Sequence, residues 1–236
     1  MAASVRTFVR KVVGRRKVRL GSLRRTTPVS EHWGADRGSP IDRYYIERFL
    51  AAHRGDICGR VLEVKDPRYT ERFGSDVSQS DVLDIDPANP LATIVADLAS
   101  SEAIPSDFFD CFVCTQTLQF IYDIQAALRE SNRLLRPGGV LLATVPAVSK
   151  VDHHAGVDGD FWRLTTASCS RLFGGIFERG SVEVRAFGNV LSAIGFLTGL
   201  AREDLTDAEL DVEDELFPVL IGVRAVKAQA TAGASR

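Results

Sequence analysis

A chain of 236 residues, 45% hydrophobic and 25% charged, is long enough for one α/β domain with a sizeable core plus extensions, and its composition excludes a fibrous or wholly disordered protein. No apolar run approaches the roughly 18 residues that span a bilayer, and Arg and Lys interrupt the N-terminal apolar residues, unlike a secretory signal. The net charge of −2 hides an asymmetry: nine of the 29 Lys and Arg fall in residues 1–27, which hold no acid, so the rest sets 20 against 31 acidic residues, a net of −11. An acidic body is not built to bind nucleic acid along a broad face.

In the leader, Val5, Phe8, Val9, Val12 and Val13 recur at helical spacing with cations on the other face. That pattern fits an amphipathic helix on an anionic membrane surface, and equally a basic tail without structure. Mitochondrial transit peptides share the Arg-rich, acid-free composition. The expected organisation is a leader over 1–29, one domain over 30–227 and a small, polar, disordered tail over 228–236.

Residues 30–38 read as loop. Ser39 is placed to cap a helix, with Pro40 first in the helix and Asp42 three residues after the cap. The helix runs through Ile41, Tyr44, Tyr45, Phe49 and Leu50 to about His53, its aromatic stripe suited to the core, and Arg37 and Arg43 are placed to reach strand-end carboxylates. Five short apolar runs then read as buried parallel strands. They are Val61–Val64, Asp81–Asp86, Ala92–Asp97, Phe109–Thr115 and Val140–Pro146. Several end on a carboxylate, and in open parallel sheets ligands sit beyond those ends, where a carboxylate can accept ribose hydroxyls or an adenine amino group. Between strands one and two, Lys65–Gly74 leaves room for a turn or two of helix. Another helix, carrying Ile124, Ala127, Leu128 and Leu135, is stopped by Pro137-Gly138-Gly139.

Beyond Pro146 comes a polar stretch, 149–160, and then a helix capped by Thr165 or Thr166. A strand over Ser181–Phe187, helices over Val190–Leu200 and Thr206–Glu215 (with a Thr206/Glu209 capping box) and a strand over Pro218–Val226 complete the chain. Cys58, Cys111, Cys114 and Cys169 suggest no disulfide framework, in keeping with a reducing compartment. Cys111 and Cys114 form C-x-x-C, but three residues apart on a strand they point to opposite faces, as core thiols do.

The order of elements, with Arg60-Val-Leu-Glu-Val64, Val82-Leu-Asp-Ile-Asp86, Ala96-Asp97-Leu98 and Phe109-Asp-Cys-Phe-Val113, resembles the class I S-adenosylmethionine-dependent methyltransferases. The resemblance covers about residues 40–227 and is closest to the type 11 methyltransferase domains. The Leu135-Arg-Pro-Gly-Gly139 turn before the fifth strand is its strongest single element. It implies a three-layer α/β/α Rossmann-like fold with a mostly parallel seven-stranded sheet and an antiparallel last strand, and S-adenosylmethionine as cofactor. It also implies that Asp84 accepts the ribose hydroxyls and that Asp97 and Leu98 flank the adenine. Glu63, Lys65, Asp66, Arg68, Ile85, Thr115 and Gln116 complete the cofactor-binding set. In the family the first loop carries alternating glycines; here those positions fall on Lys65, Pro67 and Tyr69, so either the cofactor lies in an altered pose with Lys65 or Arg68 on its carboxylate, or the fold persists without methyl transfer.

Asp36–Tyr45 and Asp160–Thr165 resemble a subgroup of glycosyltransferase-associated methyltransferases, which implies a sugar or glycan hydroxyl as acceptor. The alternative is a catalytically inactive member that binds a partner, such as a glycosyltransferase, in glycan biosynthesis. A cytoplasmic protein, peripheral at an anionic membrane through residues 1–27, is the corresponding location. His153 and His154, oriented by Asp152 or Asp160, are the candidate catalytic bases, with Asp160 counted among the catalytic residues. The bland reading of the same stretch is a solvated loop, and no metal is called for. Tyr44, Trp162 and Arg163 are the candidate acceptor contacts, with core packing and an ion pair as the alternative for the last two. A nucleotide sugar in the same fold is a third reading.

Overall fold

The computed structural model describes residues 21–178 and 181–229. The leader helix read over residues 5–13 and the tail over 230–236 lie outside the described residues. Seven strands form one sheet in the order β3-β2-β1-β4-β5-β7-β6. They are β1 (Gly59–Val64), β2 (Val77–Asp84), β3 (Ile94–Val95), β4 (Phe109–Thr115), β5 (Leu135–Pro146), β6 (Val182–Phe187) and β7 (Leu220–Val226). The first five are parallel, and β7 runs antiparallel to both β5 and β6.

Helices cover both faces, because the central strands are apolar on both. Leu62, Phe112, Cys114, Leu141 and Ala143 join one buried cluster with Leu128 of α3 (Ile124–Leu134) and Phe173 of α4 (Thr166–Gly174). Val61, Cys111, Val113 and Leu142 join the other with Tyr45 and Phe49 of α1 (Ile41–Ala52) and Phe196 of α5 (Val190–Thr198). Strand alternation thus sends Cys111 and Cys114 to opposite layers. Both are free, buried thiols, and burial pushes Cys114 up to about 12.

The local chemistry accounts for the element ends. Asp123 caps α3 by accepting the Ala126 amide at 2.8 Å, Thr165 and Ser168 cap α4 reciprocally, and Asn189 caps α5. Gly199, at φ 79°, ends α5 where a side chain would collide with the Ser30 backbone. Among the described residues no helix is long and apolar enough to cross a membrane.

Several expected boundaries move, and the third strand, expected over Ala92–Asp97, shrinks to Ile94–Val95. Ser39 does not cap α1: Pro40 holds the cap position without a side-chain bond, because an antiparallel bridge from Pro40 to Ala201 draws this backbone aside. The Ser39 amide instead donates to the Glu203 carboxylate at 2.9 Å, and its carbonyl accepts from Arg202 at 2.7 Å. The second strand starts at Val77, and its polar first half shows why hydrophobicity marked only the end. The Pro137-Gly138-Gly139 turn lies within β5, whose pairing with β4 begins at Leu135 and shifts register between Phe109 and Cys111. The helix expected over Thr206–Glu215 shortens to α6 (Asp207–Leu210), although its capping box forms.

Candidate active-site cleft

At the carboxyl ends of the parallel strands lies a cleft of about 480 Å³. Its lining follows the sheet order. Ala96, Asp97 and Leu98 follow β3, Leu83–Ile85 come from the end of β2, and Glu63–Asp66 from the end of β1. Thr115–Thr117 then follow β4, and Pro146, Ser149, Lys150 and Asp152 follow β5. Asp42 and Arg43 of α1, with Trp33, close the side away from the sheet.

The first loop is built around Glu63. Its buried carboxylate accepts the amides of Tyr69 at 3.1 Å and Thr70 at 2.7 Å, opening the short α2 (Arg68–Phe73). Burial raises this carboxyl to about 7, against the pull of those amides. Lys65 takes φ 76°, the left-handed region a glycine would favour. Its amide donates to the Leu83 carbonyl at 2.9 Å and its carbonyl accepts from Asn89 Nδ2 at 2.7 Å. The loop therefore keeps a glycine-like backbone where the glycine itself is missing. Arg68 turns back on Asp66, with Nε and Nη2 each 2.8 Å from a carboxylate oxygen.

The nucleoside-side carboxylates are partly engaged. Asp84 accepts the Asp86 amide at 3.0 Å and Asn89 Nδ2 at 2.6 Å; Asp97 accepts the Ala99 amide at 2.8 Å and is exposed. Thr115 and Gln116 stand on the wall after β4, with Gln116 at φ 48° and its carbonyl held by Gln119 Nε2 at 2.9 Å. All ten residues named for the cofactor line this one cleft.

The acceptor-side candidates divide. Asp160 and Arg163 line the cleft as an ion pair, Arg163 Nη1 and Nη2 lying 2.6 and 2.8 Å from the carboxylate oxygens of Asp160. Burial, the largest single influence, would raise Asp160, but the Arg163 hydrogen bonds, the Asp152 amide and the charges of Arg163 and Lys150 together hold the carboxyl below its usual range. Arg163 also donates to the carbonyls of Ser149 at 3.3 Å and Lys150 at 2.7 Å, so the pair pins the loop after β5. Asp152 uses its carboxylate on the His154 and Ala155 amides. His153 and His154 are exposed and stand outside the lining; His153 Nε2 lies 3.1 Å from the Glu31 carbonyl, its ring beside His32 and Trp33. Tyr44 bonds Asp211 at 2.5 Å, away from the cleft. Trp162 donates to the Ile121 carbonyl at 3.0 Å and stacks on Tyr122 just outside the lining.

Sequence reasoning passed over three cleft residues, Asp42, Lys150 and Gln119, and expected Arg37 and Arg43 to reach strand-end carboxylates, whereas Arg37 pairs with Asp204 at 3.0 Å. Asp42 presents a carboxylate oxygen that is shielded from solvent and has no partner, and burial raises its carboxyl. Arg43, half-buried, donates from Nη1 to the Tyr69 hydroxyl at 2.7 Å. Lys150 lies 3.5 Å over the Trp33 ring, and burial lowers its ammonium. Gln119 is buried with its side-chain oxygen unpaired. Glu47 and Arg48 are equally charged on the same helix, so polarity alone did not single out Asp42 and Arg43. Among the described residues no group of three or more His, Cys, Asp or Glu is arranged to hold a metal.

Comparison with known proteins bears on the fold that carries this cleft. Residues 57–143 match the methyltransferase domain family. An Archaeoglobus fulgidus S-adenosylmethionine-dependent methyltransferase is 12% identical over 83% of this chain and 98% of its own, with a TM-score of 0.53. A Mesorhizobium loti S-adenosylmethionine-dependent methyltransferase is 18% identical over 79% of this chain and 100% of its own, also at 0.53. The N-methyltransferase NodS of Bradyrhizobium japonicum, solved with S-adenosyl-l-homocysteine, is 14% identical over 84% and 93%, at 0.51. No curated protein matches the chain. The fold is that of the class I S-adenosylmethionine-dependent methyltransferases, as the sequence resemblance implied.

Proposed function

We propose that this chain, which carries the matched methyltransferase domain on a class I fold, binds S-adenosylmethionine in the cleft and methylates a hydroxyl of a small acceptor, a sugar or glycan in particular. The observation that carries the reading is the pair of carboxylates, Asp84 and Asp97, at the end of β2 and just after β3 on one cleft wall. A cleft of about 480 Å³ is of the size that holds a cofactor of this kind. The residues present fit it: Asp84 is half-buried and able to accept ribose hydroxyls, Leu98 offers a buried apolar surface to adenine, and Asp97 is exposed beside it.

Bound there, the cofactor supplies a methyl group activated by a sulfonium. The chain's part is orientation. The lining continues past Thr115–Gln119 to Ser149–Asp152, so the acceptor takes the β4–β5 side, where the Asp160–Arg163 pair fixes the wall. Holding two reactants in line is worth several kcal/mol of barrier, of the order of 7–11 kcal/mol in the best cases. A sugar is supported by Tyr122, 73% exposed, which stacks on Trp162 and meets Phe161 edge-on next to the cleft residues Phe120 and Ile121. Such an aromatic ledge suits the apolar face of a pyranose.

Calorimetric titration with S-adenosylmethionine and S-adenosylhomocysteine, with UDP-glucose beside them, tests the reading. Micromolar binding of either cofactor form, lost by tenfold or more in Asp84→Ala with the melting temperature kept, is the expected outcome. An Asp84→Ala protein that binds as wild type does removes the site assignment. Binding of UDP-glucose in place of the cofactor makes this a nucleotide-sugar site, and no binding of any of them leaves the fold as a partner-binding module.

A further inference from the structure

The cleft holds two opposite charges that the protein itself leaves incompletely matched. Asp42 and Arg43 are adjacent in the first turn of α1, and both line the cavity. Asp42 Oδ1 is shielded from water and has no hydrogen-bond partner. Buried polar groups in folded proteins are nearly always paired, so an orphan carboxylate oxygen beside a cavity marks a donor that arrives with a ligand. Arg43 uses Nη1 on the Tyr69 hydroxyl, and among the described residues no carboxylate lies within ion-pair distance of its guanidinium.

Their place along the cleft restricts what that ligand group can be. Tyr69 stands just beyond β1, so Arg43 lies over the end of β1, next to the nucleoside-side carboxylates of β2 and β3 and before the acceptor side at β4 and β5. Other donors of the first loop are less suited to the cofactor carboxylate, while Lys65, exposed in the same lining, is the competing cation. Arg68 is bound through two nitrogens to Asp66, and the Tyr69 and Thr70 amides are turned inward to Glu63. A partly free cation and a partly free anion, side by side, match an amino-acid zwitterion.

We propose that Asp42 and Arg43 clamp the amino-acid end of the cofactor, Arg43 taking the α-carboxylate and Asp42 the α-ammonium, in place of a glycine-rich loop. The assignment rests on the cofactor reading above and makes the two residues determinants of selectivity for the complete cofactor over its nucleoside fragment.

The test compares S-adenosylhomocysteine with 5′-methylthioadenosine, which keeps the nucleoside thioether and lacks the amino-acid end, by calorimetry on the full chain. Wild type is expected to favour S-adenosylhomocysteine by at least about tenfold, as charged hydrogen bonds allow. Arg43→Gln and Asp42→Asn should each lower its affinity about tenfold while leaving 5′-methylthioadenosine within about twofold. Arg43→Lys, which keeps the charge, should recover part of the loss and guards against a folding defect in Arg43→Gln. Lys65→Ala should leave the ratio of the two affinities unchanged. Equal losses of both ligands in Arg43→Gln, or a ratio erased by Lys65→Ala and kept by Arg43→Gln, would overturn the clamp while the cofactor reading stands. If wild type binds neither ligand, both readings fall.

Discussion

Arg163 meets both carboxylate oxygens of Asp160, at 2.6 and 2.8 Å, while its remaining donors hold the carbonyls of Trp162, Ser149 and Lys150. The side chain is thus less a free acceptor contact than the post to which the loop after β5 is tied. Removing one member of a largely buried pair strands the other, so Arg163→Ala is expected to destabilise the fold by about 2 kcal/mol in urea unfolding. Because the Asp160 carboxyl is held below its usual value, its contribution is present above the ordinary carboxylate range and fades as pH falls through the lowered folded value. A variant as stable as wild type at pH 7 would show that the pair carries no load.

Glu63 runs the other way. Its folded value of about 7 lies above the ordinary 4.5, so the folded protein binds the proton more tightly than the unfolded chain does. The stabilisation is complete below pH 4.5 and is lost as pH rises through about 7. This single group should take roughly 3 kcal/mol from unfolding stability between pH 4.5 and pH 8. Glu63→Gln removes the titration, and its stability profile should be flatter over that window. Profiles that run parallel for the two proteins would rule out a perturbed Glu63.

Lys65 at φ 76° bears a strain that glycine would not. Lys65→Gly is therefore expected to raise stability by about 0.5–1 kcal/mol, even after the extra freedom given to the unfolded chain. Thermal unfolding reads the sign directly, and a lower melting temperature would mean that the lysine side chain makes contacts worth more than the strain.

His153 and His154 lie on an exposed loop outside the cleft lining, His153 against the Glu31 carbonyl. The double variant His153→Ala, His154→Ala is expected to bind S-adenosylhomocysteine within about twofold of wild type, since neither ring lines the cavity. Turnover of any acceptor later identified should fall less than the 10²-fold or more that loss of a general base entails. A larger fall with binding intact would return these histidines to the chemistry.

The fold was legible where one physical signal dominates. Nearly continuous apolar runs such as Phe109–Thr115 can satisfy both faces only in the middle of a covered sheet, and this one marks β4 to the residue. Likewise, Thr165 and Thr206 announce helix starts through caps made within four residues of chain. Ser39 misled because its amide and carbonyl are claimed by Glu203 and Arg202, partners more than 160 positions away that no local pattern reveals. The same division holds in the cleft. Asp84 and Asp97 follow from strand ends, whereas Asp42 and Arg43 become site residues only because α1 is laid across the sheet from outside it. Asp160 and Arg163 were visible as chemistry-bearing types, but their mutual distance, which decides whether they act on a ligand or on each other, was not.

That α1 is laid across from outside has a bearing on how the protein folds. The segment carrying Trp33, Asp42 and Arg43 is moored to the far end of the chain: Val29 to Thr198 at 2.7 Å, Arg37 to Asp204 at 3.0 Å across 167 positions, and Pro40 to Ala201 through a bridge. Contacts so distant along the sequence carry a large loop-closure cost and form late. The parallel strands can pair while the cleft still lacks its outer wall, so folding and competence to bind become separate events in time. Refolding followed by circular dichroism should run ahead of refolding followed by recovery of S-adenosylhomocysteine binding, and the interval between the two traces measures how long the chain exists as a nearly finished sheet with nowhere to hold its ligand.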